Sequence, residues 1–211
     1  QFVTTAAVTS LISGSTIEFS NVVIAEGSYV SSRYTVDTQN VEQRFLINDD
    51  RADTTTLTVK VQNSLSDSTL TTYTLATDIA TLTSTSNVYF LQEVEDGKYE
   101  IYFGDGVIGS KLEDNNILIM DYVVTNKGAA NGAVTFVSSA AIDTVNSVNV
   151  RVVSPAAGGA EPESIESIKY NAPLDFASQG RCVTTEDYKT YVRQLFANTQ
   201  SISVWGGEDG S

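Results

Sequence analysis

Histidine is absent from the 211 residues, cysteine occurs once and proline three times. The missing imidazole removes the commonest general base, the usual relay of hydrolytic triads and the commonest metal ligand. A single thiol, Cys182, excludes an intrachain disulfide framework and any multi-cysteine zinc site. Positive charge is scarce as well: 12 Lys and Arg face 26 Asp and Glu, a formal charge of −14. Tracking nucleic-acid phosphates requires a basic stripe, and docking on anionic lipid requires basic clusters, so this balance argues against both partners. No apolar run approaches the ~20 residues of a membrane-spanning helix. No charged segment followed by an apolar one opens the chain. It begins at Gln1-Phe2-Val3 without methionine and stops just after Gly206-Gly207-Glu208-Asp209, which reads as a piece of a longer polypeptide.

What is present is a β text over residues 1–153, rich in Thr, Ser, Val and Tyr. Apolar and polar residues alternate in 16–20, 57–61, 99–103 and 147–152, each a strand with one wet face. Turn chemistry separates them at Asn48-Asp49-Asp50, Glu95-Asp96-Gly97, Glu113-Asp114-Asn115-Asn116 and Asn126-Lys127-Gly128. Segment 62–86 is the most polar and predicts a loop or a weakly specified edge strand. Strands 98–103 and 117–124 are expected to pair with each other. The fold class is mainly β: β-sandwich modules followed by a small α+β or helical segment.

After the small-residue stretch Ser154-Pro155-Ala156-Ala157-Gly158-Gly159 the period changes from 2 to 3.6. Pro162 suits a first helical position, and Asn171-Ala172-Pro173 predicts a stop near Tyr170. Thr184 and Asp187 form a capping-box start for a second helix. Tyr188, Tyr191, Val192, Leu195 and Phe196 then lie on one face, with Lys189 and Arg193 on the other. That stripe is expected to pack against a strand at Ser201–Trp205. The domains expected are an outer β module of 1–44 plus 132–157, an inserted β-sandwich of 45–131, and 158–211 as a helical segment with the first strand of a truncated α/β domain.

Chemical motifs are few. Gly104-Asp105-Gly106-Val107-Ile108-Gly109 is a literal G-x-G-x-x-G after a strand, and Asp121 ends a second apolar run like a ribose-binding acid. A dinucleotide fold needs a crossover of at least ~10–12 residues between those strands. Only Ser110 to Asn116 separate the last glycine from Ile117, so tight turns are expected instead. Asp49, Asp50 and Asp53, and likewise Glu93, Glu95 and Asp96, lack the ligand spacing of a calcium loop and read as solvated. No local signature marks a glycosidase carboxylate pair. Cys182 follows Arg181 ahead of a capped helix, but without a partner base it is expected to be a small buried thiol. No catalytic, cofactor-binding or metal-ligating residues are assigned, and no cofactor is expected.

Three ordered segments carry a resemblance. They are Tyr99 to Gly109, Tyr122 to Ala133, and Gly158 to Glu166 continued by Asn171-Ala172-Pro173 and Gly180-Arg181-Cys182-Val183-Thr184-Thr185-Glu186-Asp187-Tyr188. Together they resemble the baseplate J-like family of contractile-tail phages, in particular the baseplate wedge subunits of T-even-like phages. The resemblance covers 85–209 well and 1–84 only through general β character. It implies a non-enzymatic, structural virion protein of the tail baseplate, assembled in the host cytoplasm. Its implied role is joining wedges into the ring around the tail hub and supporting sheath attachment. Implied partners are other copies of the chain, other wedge and hub proteins and sheath-initiator-type proteins, with no nucleic acid and no membrane insertion. Gly158-Gly159 is then the best hinge candidate, with an ordinary domain linker as the equal alternative. The alternative is a receptor- or glycan-binding phage tail protein with a Thr-rich β surface.

Overall fold

The computed structural model describes residues 1–40, 43–139, 141, 142, 145, 148–196 and 199–206, with Gln194 described by its backbone alone. The chain divides into two compact units, Gln1–Ala160 and Glu161–Ser211.

The first unit opens with short strands β1 (Phe2–Thr4), β2 (Ile12–Ser13), β3 (Thr16–Ile17) and β4 (Ile24–Glu26). β1 pairs with β4, and β2 with β3 as a small hairpin. The main sheet follows: β5 (Ser28–Thr35), β6 (Phe45–Ile47), β7 (Ala52–Gln62), β8 (Leu70–Leu75), β9 (Val88–Glu93), β10 (Tyr99–Phe103) and β11 (Ile117–Val124). Its seven strands run in the order β5-β11-β7-β8-β9-β10-β6. All neighbours are antiparallel except β8 and β9, which are parallel.

β8 is the corner of this sheet. Its residues Leu70 to Tyr73 pair with β7, whereas Thr74 and Leu75 pair with β9. One strand thus passes between two half-sheets, as corner strands do in orthogonal sandwiches. The polar segment 62–86 therefore holds an interior strand, where the sequence suggested a loop or an edge. Thr71 and Thr72 satisfy a ladder as well as apolar residues do, because pairing is a backbone property.

The sheet curls until its two free edges approach, and the enclosed face forms the core. Val59, Ile101, Leu118 and Met120 are wholly buried there. A chain of edge-to-face rings crosses it: Tyr34–Phe45 at 5.7 Å, Phe45–Phe103 at 5.9 Å and Phe103–Tyr73 at 5.3 Å between centroids. β11 is an interior strand, paired on both sides and buried on both faces, which explains its continuous apolar run Ile117-Leu118-Ile119-Met120. It pairs with β5 and β7, and β10 pairs with β9 and β6, so the expected pairing of 98–103 with 117–124 does not form. The connection at 104–116 contains no helix.

Turns fall where their residues predict. Between β9 and β10, Asp96 and Gly97 both have positive φ, the requirement of a tight hairpin. Opposite Tyr122, β7 bulges, and the Thr56 hydroxyl accepts the Val123 N–H at 2.9 Å to fill the gap in the ladder. No strand forms at 148–152; Ser147, the first residue of that expected strand, lies outside the described residues.

In the second unit, α1 (Ile165–Ser178) and α2 (Thr185–Leu195) are capped by Ser164 and Thr184. The Thr184–Asp187 capping box is present in both directions. α1 starts after Pro162 and runs through Pro173 instead of stopping at Tyr170. Proline costs one helical bond, and here Asn171 is held to Glu163 at 2.8 Å, which secures the turn just before it. The helix ends at Gln179, which adopts the left-handed conformation ahead of Gly180. Residues 201–205 form no strand. The α2 stripe is therefore not covered as expected: Leu195 is 73% and Phe196 65% exposed. Arg193 does not simply point away, since its guanidinium lies 5.9 Å from the Tyr170 ring. Lys189 pairs with Glu186 at 2.6 Å.

Candidate functional site

The glycine motif after β10 closes on itself. Asp105 accepts the N–H groups of Val107 at 2.8 Å and Ile108 at 3.0 Å, which hold its carboxyl below the ordinary aspartate value. Those are donors that a phosphate would need. A Cβ on Gly104 would stand 2.3 Å from the Ile108 carbonyl oxygen, so glycine is required for the chain to turn back on itself. Gly109 and Ser110 then donate to Thr83 and Ser86, fixing the loop to the 83–86 turn. Asp121 is engaged elsewhere, by Lys60 at 3.2 Å and by Ser31 and Tyr29.

The acidic clusters are turn formers. Asp49 accepts the Arg51 N–H, and Asp53 accepts the N–H and hydroxyl of Thr55. Among the described residues no three Asp, Glu or Cys side chains gather in a group that could hold a metal ion. Cys182 is exposed, not buried. A shallow cleft of 180 Å³ is lined by Val36, Phe45, Phe103 and Leu112 together with Asp37, Asp105 and Lys111. It is smaller than the ~300–1,000 Å³ usual for small-molecule sites.

The arrangement that joins distant parts of the chain is a junction built on the turn after β11. Glu26, at the end of β4, accepts the Thr125 hydroxyl at 2.9 Å, the Asn126 N–H at 2.8 Å and the Asn126 amide at 2.7 Å. Partial burial pushes the Glu26 carboxyl up, but these bonds and the nearby N-terminal amine outweigh it and leave its pKa below the ordinary value. The turn they brace carries Lys127 at positive φ and ends at Asn131. Asn131 in turn reaches Gly159, donating to its carbonyl at 2.7 Å and accepting its N–H at 3.1 Å. Gly132 and Ala133 add backbone bonds to Ala156 at 2.7 and 2.9 Å. The segment preceding the sheet, the turn leaving it and the connection to the helices thus meet within one hydrogen-bonded knot. Phe2 and Phe136, 4.8 Å apart edge to face, add a contact between the outer segments.

Sequence reasoning named Gly158-Gly159 as a hinge, and Gly159 is in fact pinned. A Cβ there would lie 2.2 Å from the Lys127 carbonyl oxygen, so the glycine serves close approach. The roles of Glu26 and Asn131 were missed. The turn signal at Asn126-Lys127-Gly128 was visible, but nothing local marks partners ~30 and ~100 residues away.

Comparison with known proteins agrees with the sequence resemblance. The family described as bacteriophage baseplate wedge protein gp6, third domain, matches residues 32–137. The baseplate wedge protein gp6 of Enterobacteria phage T4 is 33% identical over 138 residues, covering 54% of this chain and 21% of its own length. The chain therefore spans about a fifth of the length of that relative. The family match includes residues 32–84, where the sequence displayed only general β character. The chain belongs to the gp6 third-domain family of baseplate wedge proteins.

Proposed function

We propose that the chain is a structural part of a phage tail baseplate wedge, joining wedges into the ring around the tail hub and supporting sheath attachment. The family match over 32–137 carries this reading. It coincides with the stretch whose strands form the curled seven-stranded sheet, and the relative it resembles is itself a wedge protein. A module of this kind suits a mechanical role. Among the described residues no buried side-chain nitrogen or oxygen lacks a hydrogen-bond partner, as a well-packed rigid module requires. Its partners are other copies of the chain, other wedge and hub proteins and sheath-initiator-type proteins, in the virion tail baseplate.

The test is co-expression of the tagged chain with the other tail proteins of its phage, followed by immunogold labelling of assembled tails. Label at the baseplate and recovery in a wedge complex are expected. Label confined to fibre tips, with binding on a glycan array, would instead favour a receptor-binding protein.

A further inference from the structure

We propose that the cleft between the turn after β5 and the turn after β10 seats an arginine side chain of a neighbouring wedge protein, an inference that rests on the baseplate role proposed above. The floor of the cleft is apolar: Val36, Phe45 and Leu112 are buried and Phe103 is half-buried. Asp37 and Asp105 line it as well, and both are exposed. At 180 Å³ it takes one side chain, not a cofactor-sized molecule.

Both sides of the cleft are fixed by hydrogen bonds. On one side, Asp37 donates its N–H to the Gln43 side chain at 2.9 Å, and Gln43 donates to the Thr35 carbonyl at 3.3 Å. Val36 donates to the Asn116 carbonyl at 2.9 Å and accepts the Asn115 N–H at 3.0 Å. On the other side, Asp105 holds the Val107 and Ile108 N–H groups. Such a site loses little conformational freedom when it is filled.

Charge selects the occupant. Asp37 Oδ1 accepts the Gln39 N–H at 2.9 Å, and Asp105 Oδ1 accepts the two N–H groups of its own turn. The other oxygen of each accepts no hydrogen bond from another residue, and neither acid forms an ion pair among the described residues. Lys111 lies near enough to help lower the Asp105 carboxyl pKa, but among the lining residues this single cation faces two carboxylates. An apolar floor beside unpaired carboxylates matches a side chain with an apolar stem and a cationic end. Arginine suits it better than lysine, because a flat, weakly hydrated guanidinium lies on an aromatic ring and bonds a carboxylate at the same time. The module already holds one arginine in this manner: the Arg44 guanidinium lies 4.7 Å from the centre of the Tyr102 ring and bonds Glu100. A chain of net charge −14 also favours a basic partner surface.

Titration of the 211-residue chain with N-acetyl-arginine methylamide, followed by amide NMR, tests the seat itself. Saturable shifts are expected at Val36, Asp37, Gly104, Asp105 and Leu112. The N-acetyl-lysine and N-acetyl-leucine methylamides should bind at least about threefold more weakly. Asp37→Asn and Asp105→Asn keep an oxygen for the turn N–H groups but remove the charge, so each should weaken the arginine probe by about three- to tenfold. No saturable shift at the cleft, equal binding of the lysine or leucine probe, or unchanged binding in both variants would overturn the proposal. The three probes on the unaltered protein decide even if a variant fails to fold. In the wedge co-expression, the Asp37→Asn, Asp105→Asn double variant should lower recovery of the complex. Glu93→Gln with Glu95→Gln makes the same charge change at other exposed positions and should not. Full recovery of the cleft double variant would overturn the docking role while the baseplate label stayed in place. Label at fibre tips would overturn the baseplate reading instead, and the probe titration would still decide the cleft.

Discussion

Tyr34 and Leu46 stand on the two free edges of the main sheet, and the Tyr34 hydroxyl donates to the Leu46 carbonyl across 2.9 Å. The ring of Tyr34 also meets Phe45 edge to face. One side chain thus spans the gap that strand pairing leaves open. An exposed sheet edge is a site for unwanted pairing with another chain, and this bridge covers part of it.

Tyr34→Phe should therefore lose about 0.5–1.5 kcal/mol of stability, the net worth of a neutral hydrogen bond. Denaturant titration measures the loss, and hydrogen exchange should locate it at residues 45–47. Tyr34→Ala should cost more, because the ring contact with Phe45 goes as well. Equal losses for the two variants would show that the ring contributes nothing to closure.

Asp121 provides an acid-sensitive contact. Its burial raises the carboxyl pKa, but the Ser31 hydrogen bond, the Lys60 bond and charge and the Tyr29 hydrogen bond lower it further, so the net shift is downward. A carboxyl with a depressed folded-state pKa stabilises the fold at neutral pH and loses that contribution as pH falls through the folded-state value. Asp121→Asn should cost about 1–3 kcal/mol at pH 7 and flatten the acid limb of the stability profile. Thermal melts from pH 7 down to pH 3 on both proteins check this. Parallel curves over that range would show that Asp121 does not contribute to the acid limb.

The turn after β10 depends on one missing side chain. Gly104→Ala places a methyl group against the Ile108 carbonyl and should cost about 1–3 kcal/mol. The readout is the midpoint of chemical denaturation, with exchange of the Gly109 and Ser110 amides as the local signal. Val107→Ala serves as the control, since Val107 is exposed and should change stability by less than ~0.5 kcal/mol.

The helical unit yields the opposite kind of expectation. Leu195 lies on the apolar face of α2 but is largely exposed, so Leu195→Ala should shift stability by less than ~0.5 kcal/mol. Thr190 is buried, and Thr190→Lys should destabilise the helix pair clearly. Helical circular dichroism on heating separates the two. A substantial fall in melting temperature for Leu195→Ala would mean that the stripe is covered after all.

Local chemistry was legible in the sequence. The Asp96-Gly97 hairpin, the Thr184–Asp187 box, the strand 99–103 and the turns around Asp49 and Asn115 all rest on contacts within a few residues. Their residue types therefore announce them. The baseplate family was also readable, through the order of several weak motifs. What the tertiary structure alone decided is who pairs with whom. β8 became a corner because its backbone could serve two partners, and 99–103 and 117–124 went to different neighbours. Pro173 stayed inside a helix because one lost bond is outweighed by the capped turns around it. Gly159 turned from a hinge into an anchored residue because Asn131, 28 positions away, closed on it. Periodicity and turn residues act along the chain, whereas register, burial and such long-range bonds are set only when the whole sheet has assembled.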